Sequence, residues 1–299
     1  MRLAVMSDLH LEFERGHGPA RPSSAWFELR RQRRAIQGHP DVGPLLTPLQ
    51  GLGVELVIMA GDIDLECHGV DYADQAARFV GAPVVYVMGN HEAYSGRDLD
   101  LLLPELRATA AKTDGRVRFL ENEAAVFDLH GGRLHVLGCT LWTNYRLNGN
   151  SDVDIAHAMR DAASGLNDHA RIFLRGSQFT PEHAKQIHDT SRHWLGQQVT
   201  RIREQDGDDA NIVIVTHHAP IPDANPPQFR GGALSPAFAS DLRAEIGDWR
   251  PLAWIWGHTH HSMTESQDST MLLASQRGYV CGEPGADEYQ PLFTDIGDR

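Results

Sequence analysis

Five short apolar runs in this chain end on side chains that bind metals. Arg2-Leu3-Ala4-Val5-Met6 leads into Ser7-Asp8-Leu9-His10, and Glu55-Leu56-Val57-Ile58-Met59-Ala60 into Gly61-Asp62. Val84-Val85-Tyr86-Val87-Met88 leads into Gly89-Asn90-His91-Glu92. Asn211-Ile212-Val213-Ile214-Val215-Thr216 leads into His217-His218, and Leu252-Ala253-Trp254-Ile255-Trp256 into Gly257-His258-Thr259-His260. Of the 17 histidines, His10, His91, His217, His218, His258, His260 and His261 stand at these ends. One such histidine is more often packed or solvated than functional, but five converging ends are not explained that way. Carboxylate, amide and imidazole without thiolate suit zinc, manganese or iron, and not calcium or a structural zinc finger.

The runs are too short for helices and read as buried strands, and open α/β sheets take their ligands at the carboxyl ends of such strands. Between them the periodicity predicts helices over 24–37, 71–80 and 99–112. The first carries Arg30, Arg31, Arg33 and Arg34 on what reads as a solvated face. Strands are expected over 117–120, 124–129 and 134–140, the last two joined by a hairpin through Gly131-Gly132. Thr180 and Pro181 are an N-cap and first residue of a long helix whose inward stripe is Ile187, Ser191, Trp194, Gln198 or Val199, and Ile202. Ser235-Pro236 opens a further helix with Phe238, Leu242 and Ile246 on one face. Residues 270–275 and 279–281 read as closing strands. Residues 144–178 are polar with no clear strand and read as a surface insertion, a candidate lid. No linker and no repeat is visible, so a single α/β domain over 1–299 is expected.

The chain has 299 residues, 41% hydrophobic and 22% charged, with a formal net charge of −13. That charge argues against general affinity for nucleic acid or anionic membrane, though not against a phosphorylated substrate, because bound cations invert the local field. The three cysteines, Cys67, Cys139 and Cys281, form no CxxC pair. No apolar run approaches a membrane span of roughly 18–20 residues, and a core strand begins at the first residues, so a soluble, cytoplasmic protein is expected.

Taken in order, Asp8-Leu9-His10, Gly61-Asp62, Gly89-Asn90-His91-Glu92, Thr216-His217-His218 and Gly257-His258-Thr259-His260 resemble the five signature blocks of the calcineurin-like metallophosphoesterases. The likeness spans residues 8–260 and is greatest to bacterial single-domain members with Ala-Pro after the double histidine, here Ala219-Pro220. It implies a four-layer α/β/β/α sandwich and two divalent metal ions, manganese, iron or zinc. Asp8, His10 and His260 would hold one ion and Asn90, His217 and His258 the other, with Asp62 bridging. Two metals about 3.5–4 Å apart clamp a phosphoryl group and ionise a bridging water near neutral pH. The resemblance implies hydrolysis of a phosphate mono- or diester by that hydroxide, with His91 as general acid.

One departure concerns the aspartate that many relatives carry three residues after the bridging one, where it orients the catalytic histidine. Here that position is Leu65, and Asp64 sits one residue earlier. Strand-like alternation would turn Asp64 to the side of Asp62. Glu92 is a candidate to orient His91, or it ends a turn. His218 is read as a second line of support or a substrate contact, Asn144 as reaching the pocket rim, and Arg277 as a phosphate contact. Substrate choice is expected to lie in 144–178 and 221–234. Two rival readings are a non-catalytic metal-binding scaffold of this fold, which usually shows damaged ligands, and a nuclease of the same superfamily, which −13 disfavours.

Overall fold

The structure, a computed structural model, describes residues 1–14, 42–280 and 282–297. The helix expected over 24–37 lies outside the described residues, as does Cys281. Two sheets stack face to face. The first contains β1 (Arg2–Met6), β2 (Leu56–Met59), β3 (Val84–Val87) and β4 (Val117–Leu120), all parallel. The chain returns to it as β13 (Leu292–Asp295), antiparallel to β1, giving the order β13-β1-β2-β3-β4. The second contains β5 (Glu123–Leu129), β6 (Gly132–Cys139), β9 (Asn211–Thr216), β10 (Ala253–Trp256), β11 (Met263–Gln267) and β12 (Thr270–Ala274), in the order β11-β12-β10-β9-β6-β5. A two-residue pair, β7 (Phe173–Leu174) and β8 (Ser177–Gln178), stands apart.

Side-chain alternation along these strands produces the layers. Leu3, Val5, Ile58, Val85 and Val87 meet Leu134, Val136, Val213, Val215 and Ile255 between the sheets. Ala4, Met6, Val57, Met59, Val84 and Tyr86 face outward to the helices His68–Val80 and Leu99–Ala111. Leu137, Ile212, Ile214, Trp254 and Trp256 face outward to the helices Pro181–Asp206 and Arg243–Trp249. The fold is therefore the four-layer α/β/β/α sandwich. No helix among the described residues is long and apolar enough to cross a membrane.

Several expectations need correction. Residues 144–178 contain a helix, Asp152–Gly165, opened by a Ser151–Asp154 capping box, and Ile155, Ala158, Ala162 and Ile172 are buried in the first core. The apolar spacing is carried mainly by alanines, which sequence reading undervalued, so this segment is packed structure and not a loose cover. The helix expected from Ser235 is broken: a 3-10 turn, Ser235–Ala237, precedes Arg243–Trp249. Between them Ser240 N donates to Ala219 O and Leu242 N to Pro220 O, so the backbone pairs with another segment and not with itself. On Pro181–Asp206 the buried stripe runs through Ala184, His188, Ser191, Leu195, Val199 and Ile202, one residue past the expected Ile187 and Trp194. The β5–β6 hairpin is as expected: Leu129 pairs with Gly132, and the positive φ (106°) falls on Gly132, one of the two glycines at the turn. Residues 279–280 are loop, and the closing strand is β13.

Candidate metal centre

Because β1, β2 and β3 are parallel neighbours, their carboxyl ends lie along one edge, and β9 and β10 do the same in the second sheet. The two edges are laced together. His217 Nδ1 donates to Ala60 O at 2.8 Å and His258 N to Asp8 Oδ1 at 2.9 Å, while Gly257 N to His217 O and His10 N to Asp62 O, both 3.0 Å, tie the strand ends within each sheet. Asp8, His10, Asp62, His258 and His260 all take left-handed backbone conformations, with φ between 48° and 73°. Each costs of order 1–3 kcal/mol outside glycine and persists only where its surroundings enforce it. Two glycines are required by crowding. A Cβ on Gly61 (φ 87°) would stand 2.4 Å from His217 Nδ1, and one on Gly89 2.1 Å from Asp62 Oδ1.

The side chains then converge in an arrangement short of protons. Nδ1 of His10 faces Glu12 Oε1 at 3.2 Å, and Nδ1 of His260 faces Glu283 at 2.8 Å. These carboxylates place the ring protons on Nδ1, which leaves both Nε2 atoms as acceptors, and these face each other at 3.0 Å. A cation between them would relieve that repulsion. On the other side His217 donates through Nδ1, so its Nε2 is an acceptor, 3.0 Å from Asn90 Oδ1. The Asn90 amide is fixed that way round because its Nδ2 donates to Tyr94 OH (2.9 Å) and Asp168 Oδ1 (2.8 Å). His258 Nε2 is buried with no hydrogen-bond partner among the described residues. Asp62 lies between, with Oδ2 3.8 Å from His10 Nε2 and Oδ1 3.4 Å from His217 Nε2. Asp8, His10 and His260 form one group able to hold a metal ion; Asp62, His217 and His258 form another; His10, Asp62 and His91 form a third.

The electrostatics agree with a missing positive charge. Burial raises the Asp8 carboxyl to about 6, and burial with Glu92 and Asp8 nearby pushes Asp62 well above the usual carboxylate range. Burial, with His91 beside it, lowers His10 to about 3, and burial first, then neighbouring histidines, takes His217 and His258 well below the ordinary imidazole value. Buried carboxyls whose ionised form is disfavoured by burial and by neighbouring acids would be stabilised as carboxylates by a cation, and the neutral imidazoles of His10, His217 and His258 are in the form that binds one.

The calcineurin-like phosphoesterase family pattern matches residues 1–262. The chain belongs to that family. Among structures, the chain is similar to phosphopantetheinyl hydrolase from Mycobacterium tuberculosis, with a TM-score of 0.63 and 17% identity over 93% of this chain and 89% of that one. A dimetal phosphatase from Danio rerio gives a TM-score of 0.49 and 16% identity, over 98% of this chain and 91% of that one. An uncharacterized protein of Acanthamoeba polyphaga mimivirus is 23% identical over 209 residues, 66% of this chain and 68% of its own.

The remaining candidates divide. His91 lies at the centre: its backbone N donates to Asp62 Oδ1 at 2.8 Å, Nδ1 faces Glu12 Oε1 at 2.9 Å, and Nε2 is 3.1 Å from Tyr279 OH. The carboxylate against His91 is thus Glu12 and not Asp64 or Glu92. Asp64 accepts from Leu65 N, and because Asp62 is left-handed the expected alternation does not hold there. Glu92 is fully buried and accepts from the backbones of Asp62, Ile63 and Gly89 and from Tyr86 OH, so it braces two ligand-bearing loops. His218 is buried with its ring 4.1 Å from that of His258 and its Nδ1 near Thr140 O, a support behind the site. Asn144 accepts from Arg146 N and closes its own loop, away from the rim role. Arg277 pairs with Glu14 and donates to Leu9 O and Ala286 O, so it staples the exit from β1 and is not a spare phosphate contact.

Sequence reading missed Glu12, Tyr94, Asp168, Tyr279 and Glu283. Glu12, two residues beyond His10 in the same block, was within reach of that reading. The others are single polar residues in loops and short turns, with no pattern to mark them.

Proposed function

We propose that the protein hydrolyses phosphate mono- or diesters at a centre of two divalent metal ions, manganese, iron or zinc. The observation that carries this reading is the convergence of acceptors: His10 Nε2 on His260 Nε2, His217 Nε2 on Asn90 Oδ1, and the partnerless His258 Nε2. Buried acceptors left facing one another are costly unless a cation lies among them. Asp8, His10 and His260 would hold one ion, Asn90, His217 and His258 the other, and Asp62 reaches toward both groups. Bound divalent ions would polarise the phosphoryl group and bring a water's ionisation near neutral pH.

The chain's own contribution to bond cleavage is assigned to His91. Glu12 fixes its Nδ1, so Nε2 is the atom that delivers a proton to the departing oxygen. With every one of the seven donor positions intact, catalysis is favoured over a binding-only scaffold. The net charge of −13 favours a small phosphorylated substrate over nucleic acid. Elemental analysis followed by an aryl-phosphate assay with manganese tests the proposal. Stoichiometric metal with turnover lost in Asp62→Ala is expected; metal-loaded protein inert toward monoesters, cyclic diesters and linear diesters alike would overturn it.

A further inference from the structure

Glu12 stands where two parts of the site meet. It is 2% exposed, and one oxygen, Oε1, receives both His10 Nδ1 (3.2 Å) and His91 Nδ1 (2.9 Å), whose rings pack edge to face with centroids 4.3 Å apart. The other oxygen, Oε2, is buried without a hydrogen-bond partner, so nothing else anchors the carboxylate through that atom. Residues Leu11–Glu14 form a single helical turn directly after His10, with His10 N and Leu11 N bonded to Asp62 O and Ile63 O, so the backbone carrying Glu12 is tied to the bridging-aspartate loop.

We infer that Glu12 is a positioning residue that couples the first metal position to the proton donor. Resting on the function proposed above, this reading goes beyond it by linking two roles through one atom. A carboxylate oxygen shared by two N–H donors cannot move toward one ring without lengthening the bond to the other. Fixing the His10 ring by ligation therefore fixes Oε1, and Oε1 sets the direction in which His91 presents Nε2 toward Tyr279 OH and the mouth of the site. The same carboxylate serves where a residue three positions after Asp62 would be expected to orient the histidine, and there the chain has Leu65.

The test compares wild type, Glu12→Gln and Glu12→Asp, each with and without His91→Ala, after circular dichroism has established folding. Manganese binding is measured by calorimetry, and turnover is followed across aryl phosphates of graded leaving-group pKa. Glu12→Gln is expected to weaken one of the two manganese sites by about 10–100-fold, and to slow poor leaving groups more than good ones. In the His91→Ala background it should still weaken manganese but add nothing to leaving-group dependence. Glu12→Asp, keeping the charge but shortening the reach, should fall between. Loss of only one of the two effects, or of neither, would overturn the coupling. Should the wild type hydrolyse none of the probes, the proposed function fails, and the coupling is read from His91 ring signals by NMR: manganese's diamagnetic substitute zinc should shift them in wild type and not in Glu12→Gln. An equal shift in both would overturn it.

Discussion

Asp168 Oδ1 accepts from Asn90 Nδ2 at 2.8 Å, across 78 residues of sequence, and from Tyr94 OH at 2.6 Å. Three elements thereby decide which end of one amide faces His217. Without Asp168, the amide is free to turn its NH2 inward, where a donor opposes a cation. Asp168→Ala should weaken the ion held by Asn90, His217 and His258 by about 10–100-fold while leaving the other, as calorimetric titration with manganese would register. Two unchanged binding steps would refute the assignment.

Metal should also stabilise the fold. At a hundred times its dissociation constant a ligand specific to the native state adds about 2.7 kcal/mol. Manganese is expected to raise the melting temperature by several degrees, and a chelator to reverse it. Glu283→Gln, which removes the carboxylate fixing the His260 tautomer, should need about 10–100-fold more manganese for the same rise.

His91→Ala should spare metal stoichiometry. General acid catalysis contributes typically about 10²–10⁴-fold, so turnover of alkyl phosphates should fall by that order while activated aryl esters lose much less. Parallel losses on both substrate types would remove His91 from proton donation.

Away from the metal ligands, Glu121 at the end of β4 accepts from Thr140 N and Thr140 Oγ1 in a buried site, and burial raises it from 4.5 to about 7. Between those values the folded protein keeps a proton that the unfolded chain has released. Its contribution to stability therefore falls as pH rises from about 4.5 through 7 and then levels off. The full loss is on the order of 3 kcal/mol, from the size of the shift. Glu121→Gln should make the protein more stable than wild type above pH 7, with the advantage disappearing near pH 4.5. Urea denaturation of both proteins at pH 5 and pH 8 measures it; a pH-independent difference would show that Glu121 is ionised throughout.

What the sequence determined alone is which side chains stand at the ends of the apolar strands. Asp8, His10, Asp62, Asn90, His217, His258 and His260 were legible because each follows an apolar run of strand length, and strand ends in parallel sheets share an edge. The long helix from Pro181 was legible from its cap, and the four layers were implied by family resemblance. Tertiary structure alone decided how those donors are held. Glu12, Glu283 and Asp168 are ordinary acids in the sequence, and their partners lie 79, 23 and 78 residues away. Nothing periodic announces a carboxylate whose position depends on the path of a loop. The same holds for Arg277, which reads as a free cation in sequence and is spent on Glu14 and two carbonyls in space. Which side chains gather at the strand ends is written locally, since the strand termini fix it; their orientation is set by hydrogen bonds that exist only after the chain has folded.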